Sequence, residues 1–398
     1  MTFRTAHTNQ DITGKSLFQE VYTNDSGEIV SFDGAEGDYK VGKYYGNGEV
    51  AYKKFNLPYL LMGDVTSNIC RLWFPDDARD FSGTEETMSP GITGTPKYFV
   101  AESSKCVKFL GYYYLTVLDS PGYNQYLLKT QDFSSYTLVS PSPGNSTPAT
   151  PFVADGKLYF NTLVSGVSRM TRTADGVTWS NLAANSNLKT QQFVSLGGIY
   201  AMQCTYNSNL FVSVDNGDNW TEYTPQNTKG GDYIIEDIAW IGLVNGLFTM
   251  VLKYYNSMEN SYRYYLNTLS EIPTSSDFTS TEVRELTFED SSYDVIFENF
   301  AYNSDNTNVI FNISIPSGYV NLRIPSGASF PEMSSSTYMK TEMFLDKSSG
   351  KIMGFYNDYD TSANQEFRIY NDDNTITVDS SFTLPATRSN VYVMAIEK

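Results

Sequence analysis

The sequence predicts an all-β chain assembled from one strand-rich unit repeated in tandem, and three observations carry that prediction. Among 398 residues there are 31 Tyr and 24 Phe, set in stretches rich in Ser, Thr, Asn and Gly, a composition suited to strands and tight turns. Runs of good helix formers with a 3.6-residue apolar period are hard to find anywhere. Short apolar runs led by a turn residue return at a nearly constant spacing, the mark of a repeat architecture.

Residues 1–35 are polar and rich in Gly and Asp, and read as an N-terminal arm or docking segment. Strand-like runs begin at 36, with VGKYYG, EVAYKKF, PYLLMG and NICRLWF inside 36–99. Beyond residue 100 the repeat is explicit: Gly111-YYYLTVL, Gly156-KLYFNTL, Gly198-IYAMQC, Gly246-LFTMVL, Asn306-TNVIFNISI and Gly350-KIMGFY. Successive starts lie 45, 42, 48, 60 and 44 residues apart, so the longest interval holds an insertion. Each run starts at a turn and then stays apolar or alternates, as a buried strand does. A unit of about 40 to 50 residues with several short strands matches the four-stranded blade of a β-propeller. Residues 100–398 then hold six blades, while 36–99 supply a seventh blade or an N-terminal element. The whole reads as a single β-propeller of six to seven four-stranded blades, spanning 36–398, with an N-terminal arm. The segment SPSPGNSTPATP (140–151) falls inside the repeat frame as an inter-blade loop, and no linker divides the chain.

A second signal keeps the same phase. TQDFSSY (130–136), TADGVTW (173–179) and SVDNGDNW (213–220) each combine a hydroxyl, an Asp two residues on and a closing aromatic, and the hydroxyl residues are spaced by 43 and then 40. An Asp side chain accepts hydrogen bonds from N–H groups two or three positions on, and a Ser or Thr hydroxyl does so more weakly. Glycine supplies the positive φ of a tight hairpin, and the aromatic ring folds over the turn and buries itself between sheets. A carboxylate occupied in this way does not serve as a general acid. Ser213, Asp215, Gly217 and Trp220 resemble the Asp-box (BNR repeat), Ser-x-Asp-x-Gly-x-x-Trp, at every defined position. Thr173, Asp175, Gly176 and Trp179 are similar to its shorter form, and Thr130, Asp132 and Tyr136 form a degenerate copy lacking the glycine. The resemblance implies a propeller in which the box closes the hairpin between the two outer strands of a blade.

Charge and chemistry narrow the function. A formal charge of −18 repels phosphate backbones and anionic lipid heads, which argues against nucleic acid and membrane insertion. No stretch approaches the ~18 apolar residues that span a bilayer, and the start MTFRTAHTNQDITGKSL has no secretory pattern. Cys70, Cys106 and Cys204 are widely spaced and form neither a disulfide framework nor a metal ladder. His7 is the single histidine, which excludes Ser-His-Asp chemistry outside the arm and multi-histidine metal centres. No phosphate-cradling glycine loop is present, and no cofactor is expected. The acidic runs at 358–366 and 370–374 lack the glycine and terminal Glu of a calcium loop and read as turns.

Asp-boxes also occur in sialidases, whose Arg-Ile-Pro motif is similar to Arg323-Ile324-Pro325. Here that tripeptide follows all three boxes instead of preceding them, and no arginine triad marks a carboxylate site. A sialidase-like glycoside hydrolase is therefore the alternative, with no catalytic residue and no metal ligand assigned. The Tyr-rich runs GYYYL (111–115), KYYNSMENSYRYYL (253–266) and GFYNDYD (354–360) offer flat amphipathic faces, although alternate tyrosines also line blade strands. Taken together, the chain resembles the Asp-box propeller proteins that decorate tailed-bacteriophage tails, baseplates or capsids. That resemblance implies a non-catalytic virion component, made in the host cytoplasm, released by lysis and present in multiple copies. It would dock by its N-terminal part on other virion proteins and present rim loops for assembly or for recognition of a host-surface glycan or protein.

Overall fold

The computed structural model describes residues 21–23, 40–44, 50–52, 60–66, 69–73, 80–82, 85–87, 95–99, 105–120, 125–131, 133, 135–139, 151–164, 167–181, 188–204, 208–275, 277–288, 292–330, 339–347, 349–358, 365–384 and 391–397. Every regular element among them is a strand. Six four-stranded blades follow one another in a propeller ring. Blade 1 is Lys105–Phe109, Tyr112–Ser120, Gln125–Thr130 and Thr137–Leu138; blade 2 is Phe152–Ala154, Lys157–Val164, Val167–Thr173 and Ser180–Asn181. Blade 3 is Leu188–Leu196, Ile199–Cys204, Leu210–Ser213 and Thr221–Pro225. Blade 4 is Tyr233–Val244, Leu247–Asn256, Ser261–Leu269 and Thr281–Leu286. Blade 5 is Ile296–Tyr302, Val309–Ile315, Gly318–Ile324 and Ala328–Ser329; blade 6 is Met339–Asp346, Lys351–Asp358, Gln365–Tyr370 and Ile376–Val378.

The repeated glycine has one structural meaning. In blades 1 to 4 it is the second residue of a two-residue turn between the first and second strands. Leu110–Gly111, Asp155–Gly156, Gly197–Gly198 and Asn245–Gly246 all have positive φ at both positions. The flanking residues pair directly, as in Phe109 with Tyr112 and Val244 with Leu247. This is the turn whose twist matches that of the strands it joins, so each glycine fixes a register. Residues 270–280, between the third and fourth strands of blade 4, contribute part of the long interval between Gly246 and Asn306, and longer strands in blade 4 contribute more of it. The segment 270–280 lays Asp277–Phe278 parallel to Thr224–Pro225 on the outer edge of blade 3.

The ring is completed by a closing sheet. Val391–Glu397 pairs antiparallel with Leu60–Thr66, which continues into Ile69–Trp73 and Glu85–Thr87. The same strand pairs parallel with Lys105–Phe109 of blade 1. Apolar clusters fill the successive junctions. Phe160 and Trp179 of blade 2 meet Tyr114 and Leu127 of blade 1, and Trp240 and Tyr264 of blade 4 meet Phe297 and Phe311 of blade 5. Phe344 and Phe355 of blade 6 meet Met62 and Trp73 of the closing sheet, and Leu61 and Ile396 of that sheet meet Leu115 and Leu128 of blade 1. Burial between sheets, from large aromatic and branched side chains, thus supplies the core. Separately, Val21–Thr23, Lys40–Tyr44 and Val50–Tyr52 form a three-stranded sheet.

Candidate functional site

The three turns singled out in the sequence all join the third and fourth strands of a blade. In the turn 213–220 the Ser213 hydroxyl donates to Asp215 Oδ1 at 2.8 Å and accepts from Gly217 N at 2.8 Å. Asp215 Oδ1 also accepts from Asn219 N at 2.8 Å, and Oδ2 from the Asn219 amide at 2.7 Å. Donation by the Asn219 N–H, then by its side chain, holds the Asp215 carboxyl down at about 2. Gly217 sits at φ +82°, and Trp220 Nε1 donates back to Gly217 O at 3.1 Å. The indole packs on Phe152, Tyr159 and Met170 of blade 2 and on Met202 and Phe211 of its own blade.

The turn 173–179 repeats this pattern. Thr173 Oγ1 donates to Asp175 Oδ1 at 2.9 Å and accepts from Gly176 N at 2.9 Å, while Val177 N and Thr178 N donate to the same carboxylate oxygen. The two N–H groups hold the Asp175 carboxyl well below the usual range. Trp179 meets Phe160 edge-on, with ring centroids 5.0 Å apart. In the turn 130–136, Thr130 Oγ1 accepts from Phe133 N at 2.8 Å, and Tyr136 packs against the junction of blade 1 with the closing sheet. Asp132 lies outside the described residues.

Sequence reasoning missed what holds these turns from outside. Tyr159 donates its hydroxyl hydrogen to Asn216 O at 3.0 Å, and Arg172 Nη1 donates to the same oxygen at 3.2 Å while its Nη2 pairs with Asp218. Both residues belong to blade 2, whereas the turn belongs to blade 3. Tyr114 of blade 1 lies against Gly176 of blade 2 as Tyr159 lies against Gly217, an added Cβ meeting the tyrosine hydroxyl at 3.1 Å and 3.0 Å. Tyr114 and Tyr159 each lie three residues after the repeated glycine, a spacing visible in the sequence.

Arg323 takes part in the same system of contacts. It is 6% exposed at the end of the third strand of blade 5, donates to Asp372 O at 3.1 Å and Asn371 O at 2.6 Å, and lies over Phe330. Arg284 of blade 4 reaches Ser326 O in blade 5. Outer-turn carbonyls of blades 3, 5 and 6 are thus held by an arginine from the blade before. In the 370–374 run, Asp373 accepts from Thr375 N and Oγ1, which closes the outer turn of blade 6. Among the described residues no group of His, Cys, Asp and Glu is arranged to hold a metal ion. Cys106 is buried and free, with its thiol pushed up by burial; the side chains of Cys70 and Cys204, and His7, lie outside the described residues. No helix among the described residues is long and apolar enough to cross a membrane.

The other end of blade 4 is built differently. There the tyrosine run 253–266 forms the hairpin between the second and third strands, next to the start of the first strand and the link into blade 5. Lys253 is largely buried and bridges Glu236 at 3.0 Å and Asp294 at 2.9 Å, with its ammonium over the Tyr262 ring. Tyr264 donates to Asp294 Oδ1 at 2.7 Å and accepts from Val295 N at 2.9 Å. Burial raises the Tyr264 phenol, so it remains a hydrogen-bond donor at neutral pH. This network fixes residues 294–295 and with them the neighbouring Tyr293, which is exposed. The arrangement is suited to presenting side chains to a partner from a fixed backbone.

The chain is therefore a β-propeller whose outer turns are internally bonded and which presents an aromatic, apolar and acidic surface at one end of blade 4. No protein-family model matches the sequence, and no curated protein matches it. Among solved structures it is similar to a YCF48 bound to D1 peptide, at 14% identity and TM-score 0.42 over 74% of this chain and 86% of that one. It is also similar to YCF48 from Cyanidioschyzon merolae, at 12% identity and TM-score 0.40 over 85% and 96%. An ancestral GH74 enzyme aligns at 9% identity and TM-score 0.45 over 83% of this chain and 46% of that chain.

Proposed function

We propose that this chain is a non-catalytic binding and assembly protein of a virus particle. It docks through its N-terminal part on other virion proteins and presents the propeller for assembly or for recognition of a host-surface protein or glycan. One observation carries the binding half of this reading. The turn carboxylates of Asp175 and Asp215 and the guanidinium of Arg323 are bonded within the fold, whereas exposed apolar and aromatic side chains gather beside a fixed network at one end of blade 4. The virion half is supported by composition and by analogy at the level of the propeller fold, namely strands rich in Asn, Ser, Thr and Tyr and a formal charge of −18 that favours solubility at high local concentration. Electron microscopy of particles made with and without the chain tests the reading. Density that disappears with the chain supports it; particles that never contain the chain, or turnover of any glycan by the purified protein, overturn it.

A further inference from the structure

The end of blade 4 that carries the tyrosine hairpin has an exposed apolar rim above a buried network. Ile234, Tyr255 and Tyr262 are cross-strand neighbours on three successive strands. One step along the same side of the sheet, Lys253 pairs with Tyr264, and these two residues hold Asp294. Ser257 is fastened to Asp232 O through both its N–H, at 2.9 Å, and its hydroxyl, at 3.1 Å, which sets Met258 beside the start of the first strand. Met258 is 79% exposed, and Ile234, Tyr293 and Ile296 are each more than half exposed. By the antiparallel order of the sheet, all four lie at the same end, around the link from blade 4 to blade 5.

The charges at this end are unbalanced. Lys253 is shared by Glu236 and Asp294, and on the opposite side of the sheet Arg263 is shared by Glu259 at 2.6 Å and Glu285 at 3.1 Å. Among the described residues each cation faces two carboxylates, which leaves one negative charge in excess at each cluster, and the Asp232 carboxylate adds to it. A second copy of this chain would bring the same acidic face, and like charges facing each other disfavour that pairing. A neutral oligosaccharide would stack on Tyr293 but gain little from the neighbouring Ile234 and Met258 side chains, which offer it no hydrogen bond. The pattern fits a polypeptide that places Lys or Arg against the carboxylates and apolar side chains against Ile234, Met258 and Tyr293, as an aromatic anchor with a polar rim does.

We infer that this face of blade 4 is the docking surface for a basic, apolar polypeptide segment; the inference rests on the binding reading above and names the chemistry of its partner. The test is selection from a random-peptide display library on the full chain, followed by titration of synthetic copies of the selected peptides. Selected sequences should combine Lys or Arg with apolar residues. Their affinity should fall about tenfold or more in the Met258→Ser/Tyr293→Ala variant, and fall again as salt rises from about 50 to about 500 mM. Ile234→Ser should act in the same direction, and Val177→Ser, at the opposite end of blade 2, should leave affinity unchanged. Selected peptides without basic enrichment, binding indifferent to both blade 4 variants, competition by a neutral oligosaccharide, or a wild-type dimer that these variants dissolve would each overturn the inference. Particles lacking the chain would sink the virion reading and leave peptide binding intact, so the two failures are distinguishable.

Discussion

Arg323 donates through Nη2 to the carbonyl oxygen of Asn371 at 2.6 Å, so a side chain of blade 5 holds the outer turn of blade 6. Its companion bond to Asp372 O and the overlying Phe330 ring leave the guanidinium almost without solvent. Burial lowers the Arg323 pKa from its ordinary value, and the nearby Asp372 and Asp373 oppose that shift. Replacing it by Leu strands two partly buried carbonyls and removes charge-assisted bonds, each worth about 1.5–3 kcal/mol. Arg323→Leu should lower unfolding free energy by about 2–4 kcal/mol in urea titrations. A folded Arg323→Leu with an unchanged midpoint would show that the contact between blades 5 and 6 contributes nothing.

Gly217 and Gly156 separate two costs of adding a methyl group. Both have positive φ, at +82° and +67°, so alanine at either costs about 1–2 kcal/mol of backbone strain. At Gly217 the new Cβ would also lie 3.0 Å from the Tyr159 hydroxyl, while at Gly156 nothing lies within 4 Å. Gly217→Ala should therefore lower the melting temperature more than Gly156→Ala. Equal shifts in calorimetry would mean that Tyr159 moves aside freely.

Trp220 tests whether the turn is architectural. Its indole spans blades 2 and 3, and it is half-buried. Trp220→Ala should cost about 1–3 kcal/mol through the space it leaves. Binding of the selected peptides per folded molecule should stay the same, because blade 4 presents them from the other end. Lost binding with an unchanged melting temperature would place function in the turn after all.

The carboxylates of the turns give the fold an acid-sensitive component. With a folded pKa of about 2 against an ordinary 3.8, Asp215 holds its proton less tightly folded than unfolded. The stabilisation is complete above about pH 4 and is lost as pH falls through about 2. Asp175 is shifted in the same direction by the Val177 and Thr178 N–H groups. The urea midpoint should drop across that window in the wild type and drop less steeply in Asp175→Asn/Asp215→Asn. Parallel curves for the two proteins would rule the effect out.

Local signals made much of this fold legible. The repeated glycine could be read because a two-residue turn with positive φ at both positions admits few residues, and the strand that follows it is buried from its second residue. The hydroxyl–Asp–aromatic turns could be read because their bonds close within seven or eight residues. Arg323 could be placed in a chain motif but not in space: its partners lie 48 and 49 residues on, and no local pattern marks them. The same holds for Arg172 and for the pairing of Asp277–Phe278 with blade 3. The surface at the end of blade 4 was visible only as a tyrosine-rich run, because Asp294, which Lys253 and Tyr264 fix, arrives from beyond the fourth strand. Asn312, a polar residue inside an apolar strand, is fully buried and donates to Asn321, a partner that no local pattern marks.

The strand Val391–Glu397 sets a timetable for folding. Leu60–Thr66 and Lys105–Phe109 leave the ribosome early, and each must keep an open strand edge until the segment that fits between them has been synthesised. A nascent chain in that state can recruit the equivalent strand of a neighbour, which leads to swapped or tangled products. Shortening the chain by that one strand should therefore change its yield and association state far more than the loss of seven residues from a surface tail.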